Sequence, residues 1–448
     1  MKRLLVLLAM VFAADSMAVS PAVQTPNVSA AQWKAMQKQA FDKSETIFTR
    51  AQKMDGLLAQ YRTMSNAYDA DNSPAFRIIF SQYLSWYQTY IGDYAGARRS
   101  YSIRQVAEAN DAPSPLTDAR FQQKPALDAI AALAKDRQAV FFNEAHNLPI
   151  TRTLTIQMLE RLRKEGFDYF AAETLYESDD KLQQRGYPTS ESGFYVEEPL
   201  YAEMIREAIR LGYKVVAFDS TTDAGGDARE REQAKHLYDR VFFHNPKARL
   251  VVNSGYAHTQ KDGKYLDGKA MAFYFKQATG IEPLSIEQTM MLQHEIPEHD
   301  HPYFRAAFAT THPEQPVVYV DTAGKPWSLK PAWYDVSVFF PPESMNRERP
   351  TWLGLNGMRL PYSIGSDVCD NRFPCLIEAR YAEESDAAIP ADRIMLTTGA
   401  RPTETASNFN VLYLRPGRYR VTGKDVGNRQ LGRSNITVGD APATGTRS

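Results

Sequence analysis

The feature that most constrains the fold is a regular alternation of apolar strands and amphipathic helices between residues 126 and 279. Short runs of apolar, β-favouring residues predict strands at 138–143, 169–172, 214–218 and 249–252. Apolar residues spaced three and four apart predict helices at 126–134, 151–164, 201–210, 229–243 and 270–279. Strands that alternate with helices in this way form βαβ units with parallel strands. We therefore predict an α/β fold, with a mainly parallel sheet flanked by helices.

The 448 residues leave room for further modules on both sides of this core. From Ala31 onward the spacing is helical, and Gly92-Asp93-Tyr94 with Ala97 resembles the turn of a single tetratricopeptide-type helix pair. Beyond residue 330 strands are predicted, with a hairpin turn at Pro416-Gly417. The predicted organisation is a signal peptide at 1–18, a helical module with one tetratricopeptide-like hairpin at 31–110, the α/β core at 120–330, a β-rich C-terminal extension at 331–440 and a disordered tail at 441–448.

The first residues have the layout of a secretory signal peptide. Lys2 and Arg3 precede an apolar run at 4–14 that is too short to span a bilayer, and small residues follow at 16–18. We therefore predict a periplasmic or secreted protein without a stable membrane anchor. In an oxidising compartment Cys369 and Cys375 are expected to form a disulfide, with two free buried thiols as the alternative.

The overall charge argues against nucleic acid as a partner. The chain has 52 lysines and arginines against 53 acidic residues, without a long basic run. Nucleic-acid binding uses a basic face, so we predict none. The expected partner is a small-molecule or peptide substrate. Docking of a protein partner through the N-terminal helices is the alternative.

Ionisable residues follow the ends of the predicted strands. Glu144 and His146 follow the first strand, Glu173 the second, Asp219 the third and His258 the fourth. Because the carboxyl ends of parallel strands share the edge where ligands bind, these side chains are expected to meet. A histidine beside a carboxylate can take a proton from water, and the same groups can alternatively hold a divalent metal ion. The structural alternative is a buried polar network that only ties the strand ends together.

Arg229 and Glu230 open the helix that follows the third strand. At the start of that helix an arginine can bind a carboxylate, a phosphate or a developing oxyanion. We predict that Arg229, Glu230 and Asp219 bind substrate. Local ion pairing at a solvated helix end is the alternative.

Taken in order, these residues resemble the signature of the erythromycin esterase-like/ChaN-like superfamily, which includes haem-binding iron-regulated proteins and TIKI/TraB-related peptidases. The matching pieces are Asn143-Glu144-Ala145-His146, Ala172-Glu173, Arg229-Glu230 and Gly255-x-x-His258. Asn143 departs from the pattern, because the superfamily has glycine there. The resemblance implies an α/β fold with Glu144, His146, Glu173 and His258 in one site, as catalytic groups or as metal ligands, lined by Arg229 and Glu230.

Members of this superfamily differ in activity, so the resemblance leaves several functions open. Our first hypothesis is an exported hydrolase in which His146 activates water against an ester, lactone or peptide. The second is a protein that binds haem or another small ligand without turnover. The third is a protein-interaction module with a vestigial site. The cofactor is also open, with a divalent metal ion or haem as the candidates.

Overall fold

The computed structural model describes residues 18–19, 28–101, 103–104, 107–222, 224–397 and 410–439. Nearly all of the predicted signal peptide, and the whole predicted tail at 441–448, lie outside the described residues. The chain forms two compact units. The core unit contains Gln105–Val196 and Glu203–Glu343, and the second unit contains Val19–Arg104, Glu197–Ala202 and Ser344–Ser448.

Helices occur in both units. In chain order they are α1 (Ala30–Gln52), α2 (Leu57–Asp69), α3 (Pro74–Tyr90), α4 (Tyr94–Ser100), α5 (Ala126–Ala134), α6 (Ile150–Lys164), α7 (Leu182–Arg185), α8 (Pro199–Arg210), α9 (Gly226–Leu237), α10 (Met271–Thr279) and α11 (Pro302–Thr310). A π-helical turn, Tyr238–Phe242, continues α9. Within the ranges given above, no helix is long and apolar enough to cross a membrane.

An eight-stranded sheet forms the centre of the core unit. Its strands are β1 (Phe121–Pro125), β2 (Ala139–Glu144), β3 (Tyr169–Ala172), β4 (Lys214–Ala217), β5 (Leu250–Gly255), β6 (Leu284–Met291), β7 (Val317–Asp321) and β8 (Val336–Phe339). They lie in the order β1-β7-β8-β6-β2-β5-β3-β4. All neighbours from β8 to β4 are parallel, whereas β7 is antiparallel to both β8 and β1. The predicted α/β fold with a mainly parallel sheet is confirmed.

The middle of this sheet is a continuous apolar layer. Every residue of β2, β3 and β5 is buried. Phe141, Val252 and Phe275 belong to one hydrophobic cluster that joins the sheet to α9 and α10. Full burial of side chains of this size contributes roughly 2 kcal/mol each to folding. In the strand register Glu144 lies opposite Gly255, so β2 and β5 end at the same level.

The second unit combines α1–α4 with the C-terminal strands. Those of five or more residues are β9 (Leu360–Ile364), β10 (Cys375–Tyr381), β11 (Asp392–Leu396), β12 (Asn410–Leu414), β13 (Gly417–Lys424) and β14 (Gln430–Val438). An antiparallel sheet has the order β11-β10-β13-β14, and β9 pairs separately with β12. The hairpin predicted at Pro416-Gly417 is therefore wrong, because β12 and β13 pair with different strands. Cys369 and Cys375 are joined as a disulfide with an Sγ–Sγ distance of 2.16 Å.

Candidate functional site

The ends of β2, β3 and β5 bring the four sequence-predicted central residues together. Glu144 ends β2, Glu173 directly follows β3, and His258 lies in the 3-10 turn after β5. The Nε2 atom of His146 is 4.0 Å from Glu173 Oε2, and the Nε2 atom of His258 is 3.5 Å from Glu173 Oε1. Two imidazoles therefore face one carboxylate from opposite sides. All four residues are buried, with at most 2% of their surface exposed.

Glu144 fixes the orientation of His146. Its Oε1 atom is 2.8 Å from His146 Nδ1. Arg152, in the first turn of α6, donates to both carboxylate oxygens at 2.9 and 2.8 Å, and Asn253 Nδ2 donates to Oε2 at 2.8 Å. Burial acts to raise the pKa of Glu144, but the charge of Arg152 and the contact with His146 outweigh it and hold this pKa well below its usual range. Glu144 is therefore an ionised acceptor for the His146 Nδ1 proton.

The other ring nitrogen of His146 has no hydrogen-bond partner among the described residues. Two tyrosine rings enclose the imidazole. Tyr195 stacks on it at 4.0 Å between ring centroids and an interplanar angle of 28°, and Tyr256 meets it edge-on at 5.2 Å and 89°. A Cβ atom at Gly255 would collide with His146 Nε2 and would lie 3.1 Å from Glu173 Oε2. Glycine at position 255 therefore keeps open the space between the imidazole and the carboxylate.

Glu173 is held as an anion at the centre of the site. Its Oε2 atom accepts from the Gly255 N–H at 2.5 Å and from Ser254 Oγ at 3.2 Å, while Oε1 accepts from Arg229 Nη2 at 3.0 Å. Burial acts to raise its pKa, but His258, His146, Arg229 and the Gly255 N–H together lower the pKa of Glu173 to about 2. Charge-assisted hydrogen bonds of this kind are roughly twice as strong as neutral ones.

A second carboxylate fixes His258. Glu230 Oε2 lies 2.8 Å from His258 Nδ1 and accepts the backbone N–H of Met271, the first residue of α10, at 2.8 Å. Burial acts to lower the pKa of His258, but Glu230 and Glu173 outweigh it and raise this pKa. The site thus holds two histidine–glutamate pairs, Glu144–His146 and Glu230–His258, on either side of Glu173.

Arg229 joins Glu173 to Asp219 through hydrogen bonds from its guanidinium group. Arg229 donates through Nη2 to both oxygens of Asp219, at 2.8 and 3.0 Å, and its Nη1 atom lies 3.3 Å from His258 Nε2. Gln233 Nε2 adds a hydrogen bond to Asp219 at 2.8 Å. The three residues predicted to bind substrate therefore lie at the site, where they contact other residues of the site.

Asn143 stands where the resembling superfamily has glycine, and its side chain makes hydrogen bonds that a glycine could not make. Its side-chain amide donates to the Tyr256 carbonyl at 3.1 Å, and its Oδ1 atom accepts from the Gln288 N–H at 2.6 Å. The β2–β6 ladder ends at Phe142 and Ile286, one residue earlier. The asparagine therefore fastens the ends of β2 and β6 to the turn that carries His258.

Arg152, Tyr195 and Glu287 belong to the surroundings of the site and were missed in the sequence. Arg152 is six residues after His146 and looked like an ordinary helix residue. Glu287 lies in β6, a strand that the sequence analysis did not predict. The segment Leu284-Ser285-Ile286-Glu287 follows a helix and a glycine and ends on a carboxylate, so it repeats the pattern of the other strand ends. Tyr195 follows an irregular segment that gives no periodic signal.

The residues present do not fit a divalent metal ion in this arrangement. Within the part of the chain that the structure describes, no group of three or more His, Cys, Asp or Glu side chains could hold one. Both Nδ1 atoms face glutamates, and the Arg229 guanidinium contacts Glu173 and His258, where its charge would repel a cation. His146 and His258 are only 2% and 1% exposed, so neither ring is available at the surface as an axial ligand for haem.

No protein-family profile and no curated protein matches this sequence. Solved structures align with parts of the chain at low similarity. The type III effector HopBA1 is 13% identical with a TM-score of 0.28, and the alignment covers 41% of this chain and 96% of the effector. A structure of bacterial protein toxins is 16% identical with a TM-score of 0.29, covering 59% and 68% of the two chains. The MARTX toxin effector domain RRSP from Vibrio vulnificus CMCP6 is 12% identical with a TM-score of 0.29, covering 64% and 67%.

Proposed function

We propose that the core unit is a hydrolase in which His146 activates water against the carbonyl of an ester, lactone or peptide. One observation carries this proposal: the buried Nε2 atom of His146 has no hydrogen-bond partner among the described residues, while Nδ1 is fixed by a glutamate. A buried polar atom without a partner costs free energy. A water molecule or substrate bound at Nε2 removes that cost and is placed next to a base.

The Glu144–His146 pair sets the tautomer that this chemistry needs. Glu144 is ionised and accepts from Nδ1, so the neutral imidazole carries its proton on Nδ1 and its lone pair on Nε2. Water gives a proton to Nε2 as its oxygen forms a bond to the carbonyl carbon. The imidazolium that forms lies 4.0 Å from Glu173 Oε2 and 2.8 Å from Glu144 Oε1, and both carboxylates stabilise it.

We assign proton donation to the second pair. Glu173 Oε1, 3.5 Å from His258 Nε2, favours a proton on that nitrogen, in the same direction as the raised pKa of His258, whereas the contact of Arg229 Nη1 with Nε2 acts against it. When the carbonyl–leaving-group bond breaks, His258 Nε2 can supply the proton that the departing oxygen or nitrogen requires. Arg229, Glu230 and Asp219 hold Glu173 and His258 in place for this step.

The test is turnover of an ester, lactone and peptide panel by wild type and His146→Ala, with and without a chelator. His244, an exposed residue, supplies the matched control His244→Ala. We expect His146→Ala to lose at least about 100-fold in kcat, with His244→Ala unchanged and the chelator without effect. Equal turnover by wild type and His146→Ala would remove the assigned base, and loss of turnover with the chelator would reinstate a metal.

A further inference from the structure

We infer that Glu287, Tyr265 and Tyr334 form a substrate subsite for a cationic group, an ammonium or a guanidinium, next to His258. This inference deepens the proposed function and rests on it, since it names the substrate class of that same site. Its evidence is the position of Glu287, the state of its carboxyl group, the tyrosines beside it and beside His258, and the charge of the surroundings.

Glu287 lies on the face of β6 that the His258 turn covers. Residues two apart on a strand project to the same face, so Ser285 and Glu287 share one. Ser285 Oγ donates to the carbonyl of Thr259 at 2.6 Å, which places the residue next to His258 against this face. Glu287 is two positions closer to the carboxyl edge of the sheet, and it lies opposite Ser337 of β8.

One oxygen of the Glu287 carboxyl group accepts three hydrogen bonds within the strand end. Oε1 accepts from the Thr289 N–H, from Thr289 Oγ1 at 2.9 Å and from the Met290 N–H at 2.9 Å. Oε2 is buried and has no hydrogen-bond partner within the described ranges, although the Asn143 amide is near enough to favour the charged form. The residue is 1% exposed. A fixed carboxyl group whose second oxygen is buried and accepts no close hydrogen bond can accept one from a ligand.

One tyrosine lies beside His258 and another beside this carboxyl group. The Tyr265 ring is 5.5 Å from the His258 ring, at an interplanar angle of 76°. The loop of Tyr265 is tied to the segment of Tyr334 by the Lys261 N–H, which donates to the Trp333 carbonyl at 2.9 Å. The charge of Glu287 raises the pKa of Tyr334 further after burial has raised it, so these two side chains are neighbours. Aromatic faces beside a carboxylate bind cations through cation–π attraction.

The charge beside Glu287 also favours a cation. The hydrogen bonds to its carboxyl group come from neutral groups of Thr289 and Met290, whereas Glu173 is paired with the Arg229 guanidinium. Burial raises the pKa of Glu287 to about 7, so without a ligand this carboxyl group is partly neutral near neutral pH. A substrate cation beside Oε2 supplies the opposite charge that the ionised form lacks.

Calorimetric titration with n-butylammonium, and with n-butanol as its neutral counterpart, tests the subsite without relying on turnover. We expect wild type to bind the ammonium about ten-fold more tightly than the alcohol at pH 8. Glu287→Gln keeps the acceptor for the Thr289 and Met290 N–H groups and should bind both probes equally. The matched control is Glu282→Gln, whose carboxylate is 37% exposed and paired with Lys261, and it should behave as wild type.

A second variant covers the case in which Glu287→Gln does not fold. Tyr265→Leu removes an aromatic face and should weaken n-butylammonium binding about three-fold while leaving n-butanol binding unchanged. The subsite is refuted if wild type shows no preference for the ammonium, or if Glu287→Gln keeps the full preference. The proposed hydrolase function is refuted by a different result, equal turnover by wild type and His146→Ala, and this result does not depend on the titrations.

Discussion

Gly255 shows how much the site depends on the absence of one carbon atom. Its φ is −72°, which any residue can adopt, so the requirement for glycine is one of space. In Gly255→Ala the new Cβ must displace the imidazole of His146 or the carboxylate of Glu173. A shift of about 1 Å in a catalytic group can cost about 100-fold in rate, so we expect a loss of that size in kcat. Gly427→Ala, whose nearest neighbour would be 3.4 Å away, serves as the control and should keep full activity.

Glu144 stabilises the fold through its ion pair with Arg152 and orients His146 for catalysis, and the two roles can be tested separately. Glu144→Gln removes the carboxylate that pairs with the buried Arg152 guanidinium, which should lower the free energy of unfolding by about 3–5 kcal/mol. Replacing Arg152 by methionine in the same protein removes that charge and should restore most of the loss. Chemical denaturation measures this recovery. Turnover should stay low in both variants, because neither has a carboxylate acceptor at His146 Nδ1; recovery of turnover would contradict the assigned role.

The ionisation of Glu287 should change the folding stability with pH in the opposite direction to the ionisation of the ion-paired carboxylates. Its pKa is raised to about 7 in the folded protein from 4.5, so the folded state binds the proton more tightly than the unfolded state. The protonated carboxyl group therefore contributes up to about 3 kcal/mol to the free energy of unfolding below pH 4.5. This contribution is lost as the pH rises through 7. Glu287→Gln cannot ionise and should gain stability relative to wild type between pH 5 and pH 8 in denaturation curves. A constant difference across that range would contradict the raised pKa.

Among the elements, the strands that alternate with predicted helices, β2 to β5, were predictable, whereas β6 and the place of β8 in the core sheet were not. Tyr169–Ala172 is observed as predicted because a short apolar run between a glycine-closed helix and a glutamate has few other structures available. Val336–Phe339 was assigned to the C-terminal extension, yet it pairs with β6 in the core sheet. Local periodicity carries no information on which sheet a strand joins, since pairing is decided by tertiary contacts. The same reason explains the wrong hairpin at Pro416-Gly417.

The junction of β2, β6 and the His258 turn offers an element-scale test. Asn143→Gly introduces the residue that the resembling superfamily has and removes the hydrogen bonds to Gln288 and Tyr256. We expect a loss of about 1–3 kcal/mol in the free energy of unfolding, together with lower turnover, because the turn loses an anchor. Asn143→Ala removes the same bonds without the added freedom of glycine and should lose less. Wild-type stability of Asn143→Gly would show that the asparagine is not an anchor.

At the scale of the whole molecule, each compact unit holds carboxylates that stay ionised because they are paired. In the core unit these are Glu144 and Glu173, whose pKa values are lowered. In the second unit Glu378 is the counterpart: burial acts to raise its pKa, but Arg380, Arg393 and Lys424 outweigh it and hold the pKa well below its usual range. Acid therefore acts on both units, each through its own buried ion pairs.

The resulting prediction concerns the protons taken up when the protein unfolds in acid. A carboxyl group with a lowered pKa contributes stability above pH 4.5 that is lost as the pH falls towards its folded pKa. At pH 3 these three glutamates are still largely ionised in the folded protein and mostly protonated in the unfolded chain. Together they should take up about two to three protons on unfolding, so stability should fall by roughly 3–4 kcal/mol per pH unit there. Calorimetric unfolding from pH 2.5 to 4 measures this slope, and the Glu144→Gln, Arg152→Met double variant should reduce the uptake by about one proton. An unchanged slope in that variant would contradict the ion-paired state of Glu144 on which the role of His146 as a base depends.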